Sequence, residues 1–364
     1  MMMNILHLNA GNESGGGLTH IIALMKILSE KGHQTELVVF EDGPVAKAAR
    51  ENCLKVTVLA QKSRFDFSPL KKLQLIIENN KIDIVHTHGP RANFMYSKIS
   101  QKMKAKWVVT VHSDPTLDFM GNGFKGVLLG WLNLKSLRHA DHFLTVTARF
   151  IPILKNKVGI DTKKISVARN GLSFLDNIPD KIKHDKFNVI TVGRLHPVKN
   201  HILLMDAFLK ADLPMSELTI VGDGVLFDEM HEWIKSHNAE KKIRLVGFKT
   251  QDEINQMYQR MDLAILSSQS ESFPLVLLEA INQGVPIIST DVGDVEAMFP
   301  INKEYLVQPN QVEALETAIV QAYEANKNGQ LVKQMGIQRA YMVNNFSEEK
   351  FYESVYNGYV SAQE

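Results

Sequence analysis

The sequence predicts an α/β fold with two doubly wound parallel sheets in one chain. Short apolar runs alternate with helical stretches along the chain, the series of runs occurs twice, and a polar, proline-containing stretch separates the two series. Strands that alternate with helices form parallel βαβ units whose sheet is covered on both faces. At roughly 150 residues per domain, the 364 residues suit two such domains.

The first series of apolar runs begins near the amino terminus. Its first run is followed by a glycine-rich turn and then by a helix in which Ile21, Leu24, Met25 and Leu28 fall at helical spacing, with Gly32 as the stop signal. The strands predicted for this series are 5–10, 35–40, 55–60, 83–88, 106–112 and 142–147.

A second series follows a linker that we place near 173–187. It ends before a terminal helical segment, so the predicted domains are 1–174 and 175–346, with a carboxyl-terminal helix over 347–364. Because two doubly wound sheets bind ligand at the carboxyl ends of their strands, we expect the domains to face each other across a ligand cleft. The strands predicted for the second series are 188–193, 217–222, 243–248, 263–268 and 286–291.

The terminal segment has the signals of an amphipathic helix. Ser347 suits the N-cap position, and two glutamates follow in the first turn, where the helix dipole favours acids. Phe351, Val355 and Tyr359 recur at every fourth position and so form one apolar face.

Composition excludes several classes of protein. The single cysteine, Cys53, rules out an internal disulfide framework and a cysteine metal cluster, and it suits a reducing compartment. No stretch approaches the ~20 uninterrupted apolar residues of a membrane span. The opening residues are typical of a buried strand and not of a signal peptide. We therefore expect a soluble, cytoplasmic protein.

The two halves of the chain differ in charge. Residues 1–172 carry 24 Lys and Arg against 13 Asp and Glu, a net +11, and the remainder carries 17 against 27, a net −10. This asymmetry suggests that the first domain meets an anionic partner; complementary domain surfaces or simple solvation is the alternative. Nucleic acid is not expected, since no aromatic and basic module is present.

The most informative motif is ESFPLVLLEA at 271–280. A predicted strand leads into Glu271, and Pro274 suits the first turn of a helix predicted over 273–281. Glu279 suits hydrogen bonds from vicinal hydroxyls such as those of ribose. An amphipathic helix with two solvated glutamates is the alternative interpretation. The N–H groups that would suit an anion, helped by the helix dipole, are those of Ser272, Phe273 and Leu275.

Two cations flank a tight loop at the end of another predicted strand. Arg194 and Lys199, in VGRLHPVK, suit a diphosphate, with arginine as a planar fork and lysine as a point charge. Their charges would stabilise a departing nucleotide diphosphate without metal. The chain contains no Asp-x-Asp, the pattern with which many transferases hold a divalent ion. Taken alone, the pair is better interpreted as two surface cations.

Glycines and histidines mark the first domain. The glycines of SGGGLTH, Gly15 and Gly16 among them, open a helix and would let a ligand approach its N-terminus, although they do not form the dinucleotide fingerprint. His86, His88 and His112 lie at or near strand ends. Their spacing fits no zinc motif, and each suits a structural role. No metal site is predicted.

Together these motifs resemble retaining glycosyltransferases of the GT-B fold, specifically glycosyltransferase family 4 (glycosyl transferases group 1). The resemblance is strongest in the second half, where VGRL…K, IVGDG, LVGF and ESFPLVLLEA…GVPII occur in order. The first half matches through the glycine loop and the strands DIVHTH and VTVH. The fold implied is two Rossmann-like domains across a cleft, with the terminal helix crossing back to the first.

The resemblance also implies roles for individual residues. Arg194 and Lys199 correspond to the pair that grips the donor diphosphate, Glu279 to the glutamate on the ribose hydroxyls, and Glu271 to the glutamate near the donor sugar. His112 corresponds to a histidine against that sugar. Further donor contacts are implied for the backbone at Ser272, Phe273, Pro274 and Leu275, for the backbone of Phe248 at the base, and for the loop at Gly15 and Gly16.

The implied activity is transfer of a sugar from a nucleotide-diphosphate sugar, with a UDP-sugar favoured, to a hydroxyl of a glycan or lipid-linked acceptor. Anomeric configuration would be retained, with no metal or other cofactor. A sugar-nucleotide epimerase of the same fold and a non-catalytic sugar-nucleotide-binding subunit are the alternatives. Polysaccharide biosynthesis in the bacterial cell envelope is the expected setting.

The segment 119–138 mixes aromatic and leucine side chains with basic ones, and four further lysines precede it. Such a segment suits peripheral contact with an anionic membrane or a lipid-diphosphate acceptor. An ordinary helix packed on the first sheet is the alternative. The side chains concerned are Phe124, Lys125, Leu128, Trp131, Leu132, Lys135 and Arg138, with Lys98, Lys102, Lys104 and Lys106.

Overall fold

The computed structural model describes residues 2–13, 15–63, 66–116 and 123–364, and within 123–129 it describes the helix but not the side chains. Its chain forms two compact units. The first unit comprises Met1–Gly171 together with Glu348–Glu364, and the second comprises Leu172–Ser347. Each unit contains one parallel sheet covered by helices, as the alternation of strands and helices predicts.

The first unit contains a seven-stranded sheet in the order β3-β2-β1-β4-β5-β6-β7, with every neighbouring pair parallel. The strand order reverses between β1 and β4, which makes the carboxyl ends of these two strands the expected ligand site. The strands are β1 (Asn4–Asn9), β2 (Gln34–Val39), β3 (Val56–Val58), β4 (Ile84–His88), β5 (Lys106–Val111), β6 (His142–Thr145) and β7 (Ile165–Val167).

The helices of the first unit lie between these strands and at the end of the chain. Helix α1 begins at the glycine turn and presents its buried residues at helical spacing. The helices are α1 (Gly16–Glu30), α2 (Pro44–Glu51), α3 (Pro69–Asn79), α4 (Pro90–Ser97), α5 (Gly123–Leu137), α6 (Phe150–Ile153) and the terminal helix. Residues 119–122 of the basic segment, and the side chains of Phe124, Lys125 and Leu128, lie outside the described residues.

The second unit contains a six-stranded parallel sheet in the order β10-β9-β8-β11-β12-β13. Its order also reverses once, between β8 and β11, so the loops after these strands lie side by side at the carboxyl edge. The strands are β8 (Phe187–Val192), β9 (Ser216–Val221), β10 (Ile243–Leu245), β11 (Leu263–Leu266), β12 (Ile287–Thr290) and β13 (Leu306–Val307).

The helices of the second unit pack on both faces of this sheet around an apolar core of buried valine, leucine and isoleucine. Helix α9 begins with a capping box, in which Thr250 and Glu253 bond each other's backbone N–H groups. The helices are α7 (His201–Lys210), α8 (Phe227–Ser236), α9 (Gln251–Tyr258), α10 (Leu275–Asn282), α11 (Val312–Lys327) and α12 (Gln330–Phe346).

The terminal helix, α13 (Glu348–Gln363), belongs to the first unit. Its predicted apolar face is buried: Phe351, Val355 and Tyr359 pack in one core with residues of β1, α1 and β4. The resemblance therefore predicts correctly that this helix crosses back to the first domain.

Two strands were absent from the predicted series, and several predicted strands are shorter than predicted, β3 and β10 by three residues each. Strands β7 and β13 have three and two residues and lie at sheet edges. Apolar runs of this length are too short to predict a strand. Strand β10 stops at Leu245 because Gly247 takes φ +73°, which breaks the extended conformation. In the part of the chain that is described, no helix has both the length and the apolar character needed to cross a bilayer.

Candidate functional site

The loop after β8 holds Arg194 and Lys199 at the carboxyl edge of the second sheet. The N–H of Gly193 donates to the Val221 carbonyl (3.0 Å), which fixes the start of the loop on β9. Gly222 completes this contact: a Cβ there would lie 1.9 Å from the Gly193 carbonyl oxygen, so no side chain fits. The two strand ends therefore approach as closely as backbone allows.

Lys199 and Glu271 meet at the point where the strand order reverses. The Lys199 ammonium lies 2.5 Å from Glu271 Oε1, and the Ser268 hydroxyl donates to the same oxygen over 2.7 Å. The side chains are 21% and 14% exposed, so the ion pair is largely shielded from water. A further bond, from the Ser267 hydroxyl to the Lys199 carbonyl (2.9 Å), ties the two loops together. The structure thus brings together two of the predicted site residues from separate motifs.

Arg194 differs from Lys199 in its surroundings. Its side chain is exposed, and among the described residues it has no side-chain partner. The exposed guanidinium of Arg194 is available for an anionic ligand, whereas the Lys199 ammonium is held by Glu271.

The backbone after Glu271 is braced by the turn at Gly293. Gly293 takes φ +58°, and a Cβ there would lie 2.3 Å from the Ser272 carbonyl oxygen and 2.4 Å from that of Glu271. The N–H of Asp294 donates to the Ser272 carbonyl over 3.1 Å. The backbone of 271–272, at the start of the predicted anion-binding segment, therefore packs against the Gly293 turn in a contact that only glycine permits.

Helix α10 begins at Leu275, with Pro274 as its N-cap in an extended conformation, so the predicted start at 273 is two residues early. A proline disfavours the helical conformation in the residue before it, and Pro274 itself is extended, which explains the later start. Phe273 is buried, and its ring lies 5.2 Å from that of Phe346. The first-turn N–H groups of α10 remain at the same edge of the sheet as Glu271.

Glu279 lies on α10, about one turn after its start at Leu275, and is half-buried. Burial raises the pKa of its carboxyl, and a hydrogen bond from the Gln251 side chain opposes that shift.

Phe248 follows β10 and is 73% exposed. Its neighbour Gly247 accepts a bond from the Gly222 N–H (2.9 Å), which holds this loop against the end of β9.

His201 supports the Arg194 loop from beneath. It is buried at the start of α7, with Nε2 3.4 Å from the Arg194 carbonyl oxygen, and its Nδ1 has no partner among the described residues. Burial, and to a smaller extent the charge of Lys199, lower the pKa of His201 to about 4 despite that hydrogen bond. The imidazole is therefore neutral at neutral pH.

We expect His201→Gln to make the second unit less sensitive to acid. The folded pKa is about 4 and the ordinary value 6.5, so between these values the unfolded chain binds more protons and His201 lowers the free energy of unfolding as pH falls. Above the ordinary value the effect vanishes; at the folded pKa it reaches roughly 3 kcal/mol. Urea unfolding of both proteins across this window checks it: a constant difference between wild type and variant would contradict the assignment.

In the first unit, Gly15 and Gly16 open α1 as expected. Gly15 is the N-cap with φ +65°, and a Cβ at either glycine would meet nothing within 4 Å. The backbone of this turn is therefore open to an approaching ligand. The preceding residue, Ser14, lies outside the described residues.

His112 lies in a cluster of five histidines, of which His7 and His20 are not among the predicted site residues. His86 and His88 are on β4, His7 is beside His86 in the β1 register, and His20 is on α1. His7 Nδ1 lies 3.1 Å from His88 Nε2, and His88 Nδ1 lies 3.3 Å from His112 Nε2. A histidine in an otherwise apolar strand, as in ILHLN, is the signal that could have identified His7.

Burial lowers the pKa of every histidine in the cluster, to about 3 for His7 and about 4 for His20, and well below the ordinary value for the other three. All five imidazoles are therefore neutral at neutral pH. His86 is fully bonded, with Nδ1 2.8 Å from the Tyr359 hydroxyl and Nε2 2.6 Å from that of Thr110.

Comparison with known proteins places these features in a family. Models of Glycosyltransferase Family 4 and of Glycosyl transferases group 1 match residues 14–173 and 176–339. The GPI3 subunit of phosphatidylinositol N-acetylglucosaminyltransferase from Saccharomyces cerevisiae is 26% identical over 312 residues, covering 79% of this chain and 67% of that protein. The UDP-Gal:alpha-D-GlcNAc-diphosphoundecaprenol alpha-1,3-galactosyltransferase of Escherichia coli is 26% identical over 274 residues, covering 70% of each.

The fold agrees with solved structures. HepE from Anabaena, solved in complex with UDP, superposes with a TM-score of 0.81 over 99% of this chain and 100% of that one, at 17% identity. The two family models together span nearly the whole chain and include Arg194, Lys199, Glu271 and Glu279. The chain therefore belongs to family 4 of the glycosyltransferases, has their GT-B fold, and is a hexosyltransferase-type enzyme.

Proposed function

We propose that this enzyme transfers a hexosyl group from a UDP-sugar to a hydroxyl of a glycan or lipid-linked acceptor, with retention of configuration and without a metal ion. The observation that carries the proposal is the arrangement of Lys199, Glu271 and Arg194 at the reversal point of the second sheet. During transfer, positive charge develops on the sugar and negative charge on the departing diphosphate. This loop region supplies a fixed ammonium and an exposed guanidinium for the diphosphate and a carboxylate for the sugar.

The donor is a uridine nucleotide in this proposal. HepE was solved with UDP, and the name of the Escherichia coli relative specifies UDP-Gal. Arg194 and Lys199 would bind the diphosphate, Glu279 the ribose hydroxyls and the Phe248 backbone the base. The sugar would lie near Glu271 and His112. The backbone that would complete the site is that of Gly15, Gly16, Ser272, Phe273, Pro274 and Leu275.

Retention is assigned to attack on the face from which the leaving group departs. The acceptor oxygen bonds to the anomeric carbon as the bond from that carbon to the diphosphate oxygen breaks, and a diphosphate oxygen takes the acceptor proton. Arg194 and Lys199 stabilise the charge that develops on the departing UDP, which is the task that a divalent ion performs in other transferases. Glu271 supports positive charge on the sugar ring.

The acceptor is lipid-linked in this proposal. The names of the two curated relatives specify a diphosphoundecaprenol-linked sugar and phosphatidylinositol. The first unit itself exposes side chains suited to such acceptors: Trp131 is 55% exposed, and the Lys135 ammonium lies 4.9 Å from its ring centre. An exposed tryptophan beside a lysine is typical of contact with an anionic membrane surface.

Vesicle flotation tests the membrane contact. We expect the protein to float with vesicles that contain anionic lipid and to remain below with neutral ones, because lysines bind the surface electrostatically. Trp131→Ala should weaken flotation, whereas Met215→Ala, which removes an exposed apolar side chain from the second unit, should not. Equal flotation on neutral and anionic vesicles would exclude this contact.

A thermal-shift panel tests the donor. UDP-sugars should raise the melting temperature with or without Mg²⁺, since a ligand that binds only the folded state adds roughly 2.7 kcal/mol at a hundredfold excess over its Kd. GDP- and ADP-sugars should raise it less. A shift that requires Mg²⁺ would overturn metal independence, and a larger shift with GDP- or ADP-sugars would overturn the choice of uridine.

A further inference from the structure

Three of the clustered histidines are arranged as ligands of a metal ion. One ring nitrogen from each of His20, His88 and His112 lies within 4.8 Å of the other two. The separation of His88 Nδ1 and His112 Nε2 is 3.3 Å. Two imidazole nitrogens bound to one tetrahedral zinc ion at the usual bond length lie about 3.3 Å apart. This pair is therefore already at the separation that a shared metal requires.

The third ring presents an unpartnered nitrogen. His20 is 2% exposed; its Nδ1 lies 2.6 Å from the Asn170 side-chain oxygen, and its Nε2 has no partner among the described residues. Because an amide oxygen only accepts, the proton of the neutral ring is on Nδ1 and the lone pair is on Nε2. A buried lone pair without a donor is costly unless something binds it.

The hydrogen-bond partners of His20 and His88 are of the kind that surround metal-bound histidines. A metal-bound histidine usually gives its other ring N–H to a carbonyl or similar acceptor, which fixes the ring. Asn170 does this for His20, and His7 Nδ1, 3.1 Å from His88 Nε2, is placed to do it for His88. His7, His86 and His88 also lie within ligand distance of one another, but both nitrogens of His86 are already bonded, so this second group is less suited.

We propose that His20, His88 and His112 form a binding site for a divalent transition-metal ion of the zinc, cobalt and nickel class. The ligand atoms are His20 Nε2, His88 Nδ1 and His112 Nε2, and the fourth position is left to water or an anion. All three imidazoles are neutral at neutral pH, which is the form that binds metal, so no proton has to be displaced. Imidazole ligands favour these ions over Mg²⁺ and Ca²⁺, which prefer oxygen.

This site shares His112 with the proposed contacts to the donor sugar, but metal binding is not part of the proposed transfer. No step of the proposed reaction uses the ion, and the residues that hold it are all in the first unit. Metal-independent transfer and a structural or inhibitory metal site are therefore compatible. Metal binding is measured without donor or acceptor, so its outcome does not depend on whether the proposed function is correct.

Cobalt titration of the purified, EDTA-treated full chain tests the proposal. We expect one equivalent of Co²⁺ to bind with the visible absorption of a tetrahedral nitrogen site, and Zn²⁺ to displace it. Asn170→Ala, which removes the outer partner of His20, should weaken binding roughly 10- to 100-fold. His20→Asn and His112→Asn should each weaken it more and change the spectrum.

His142→Asn is the matched control, because His142 is also buried in the first unit but bonds Ser166 and lies outside the group. It should retain full affinity. Circular dichroism of each metal-free variant verifies folding, and His112, the least buried of the three ligands, provides the variant that tolerates substitution best. Absence of stoichiometric cobalt binding by wild type, or equal affinity in His112→Asn and wild type, would overturn the site.

Discussion

Lys199→Ala is expected to lower the turnover of sugar transfer by roughly 100- to 1000-fold, the range seen when one preorganised stabilising group is removed from an active site. The Lys199 ammonium is held 2.5 Å from Glu271 Oε1 in a largely shielded pair. Its removal takes a fixed positive charge from the departing diphosphate and leaves the Glu271 carboxylate without its cation. Initial rates with saturating UDP-sugar measure the effect.

Lys327→Ala is the control for this variant. Lys327 also pairs with a glutamate in the second unit, but both partners are more than half exposed, and such surface pairs contribute little. It should leave turnover and melting temperature unchanged. The double variant Lys199→Ala, Glu271→Gln separates the loss of turnover from the loss of stability. Its glutamine carries no charge, so no unpaired carboxylate remains at position 271. We expect the double variant to recover stability without recovering turnover. Wild-type turnover in Lys199→Ala would refute the proposed diphosphate site.

Gly293→Ala should destabilise the second unit by about 3 kcal/mol or more and lower turnover by roughly 100-fold, the scale expected when catalytic groups are misplaced by about 1 Å. A left-handed conformation alone costs a non-glycine residue roughly 1–2 kcal/mol. In addition, the new Cβ would meet the carbonyl oxygens of Ser272 and Glu271 at 2.3 and 2.4 Å, and these can move only if the site backbone moves.

Gly329→Ala isolates the conformational part of that cost. Gly329 has φ +73°, similar to Gly293, but a Cβ there meets nothing within 4 Å. The control should therefore lose only roughly 1–2 kcal/mol and keep full activity. Urea unfolding and initial rates on both variants make the comparison. If the two variants lose the same stability and turnover, the close contact of Gly293 with the Ser272 and Glu271 carbonyl oxygens does not contribute to activity.

The sequence predicts the sheets well because buried parallel strands are apolar runs between turn signals. Strands β1, β4 and β8 lie within one residue of their predicted bounds. The two missed strands are short edge strands of three and two residues, so their pairing with a neighbour, and not their composition, defines them. The fold of the terminal helix follows from its periodic apolar face.

The site was predictable in its residues but not in its contacts. Lys199 and Glu271 are 72 positions apart, and their pairing depends on β8 and β11 being neighbours, which no local pattern reveals. The histidine cluster shows the same limit. His7 and His86 are adjacent only through the register of β1 with β4, and His20 joins them only because α1 packs over that part of the sheet.

The placement of α13 has a consequence for biosynthesis. Phe351, Val355 and Tyr359 complete a core most of whose other members come from residues 3–168, and the whole of the second unit lies between the two groups in sequence. Domains usually fold in the order in which the ribosome delivers them. Here the first unit remains without part of its core until the second has been translated, so the second can finish folding first while the nascent first unit still exposes apolar surface to chaperones.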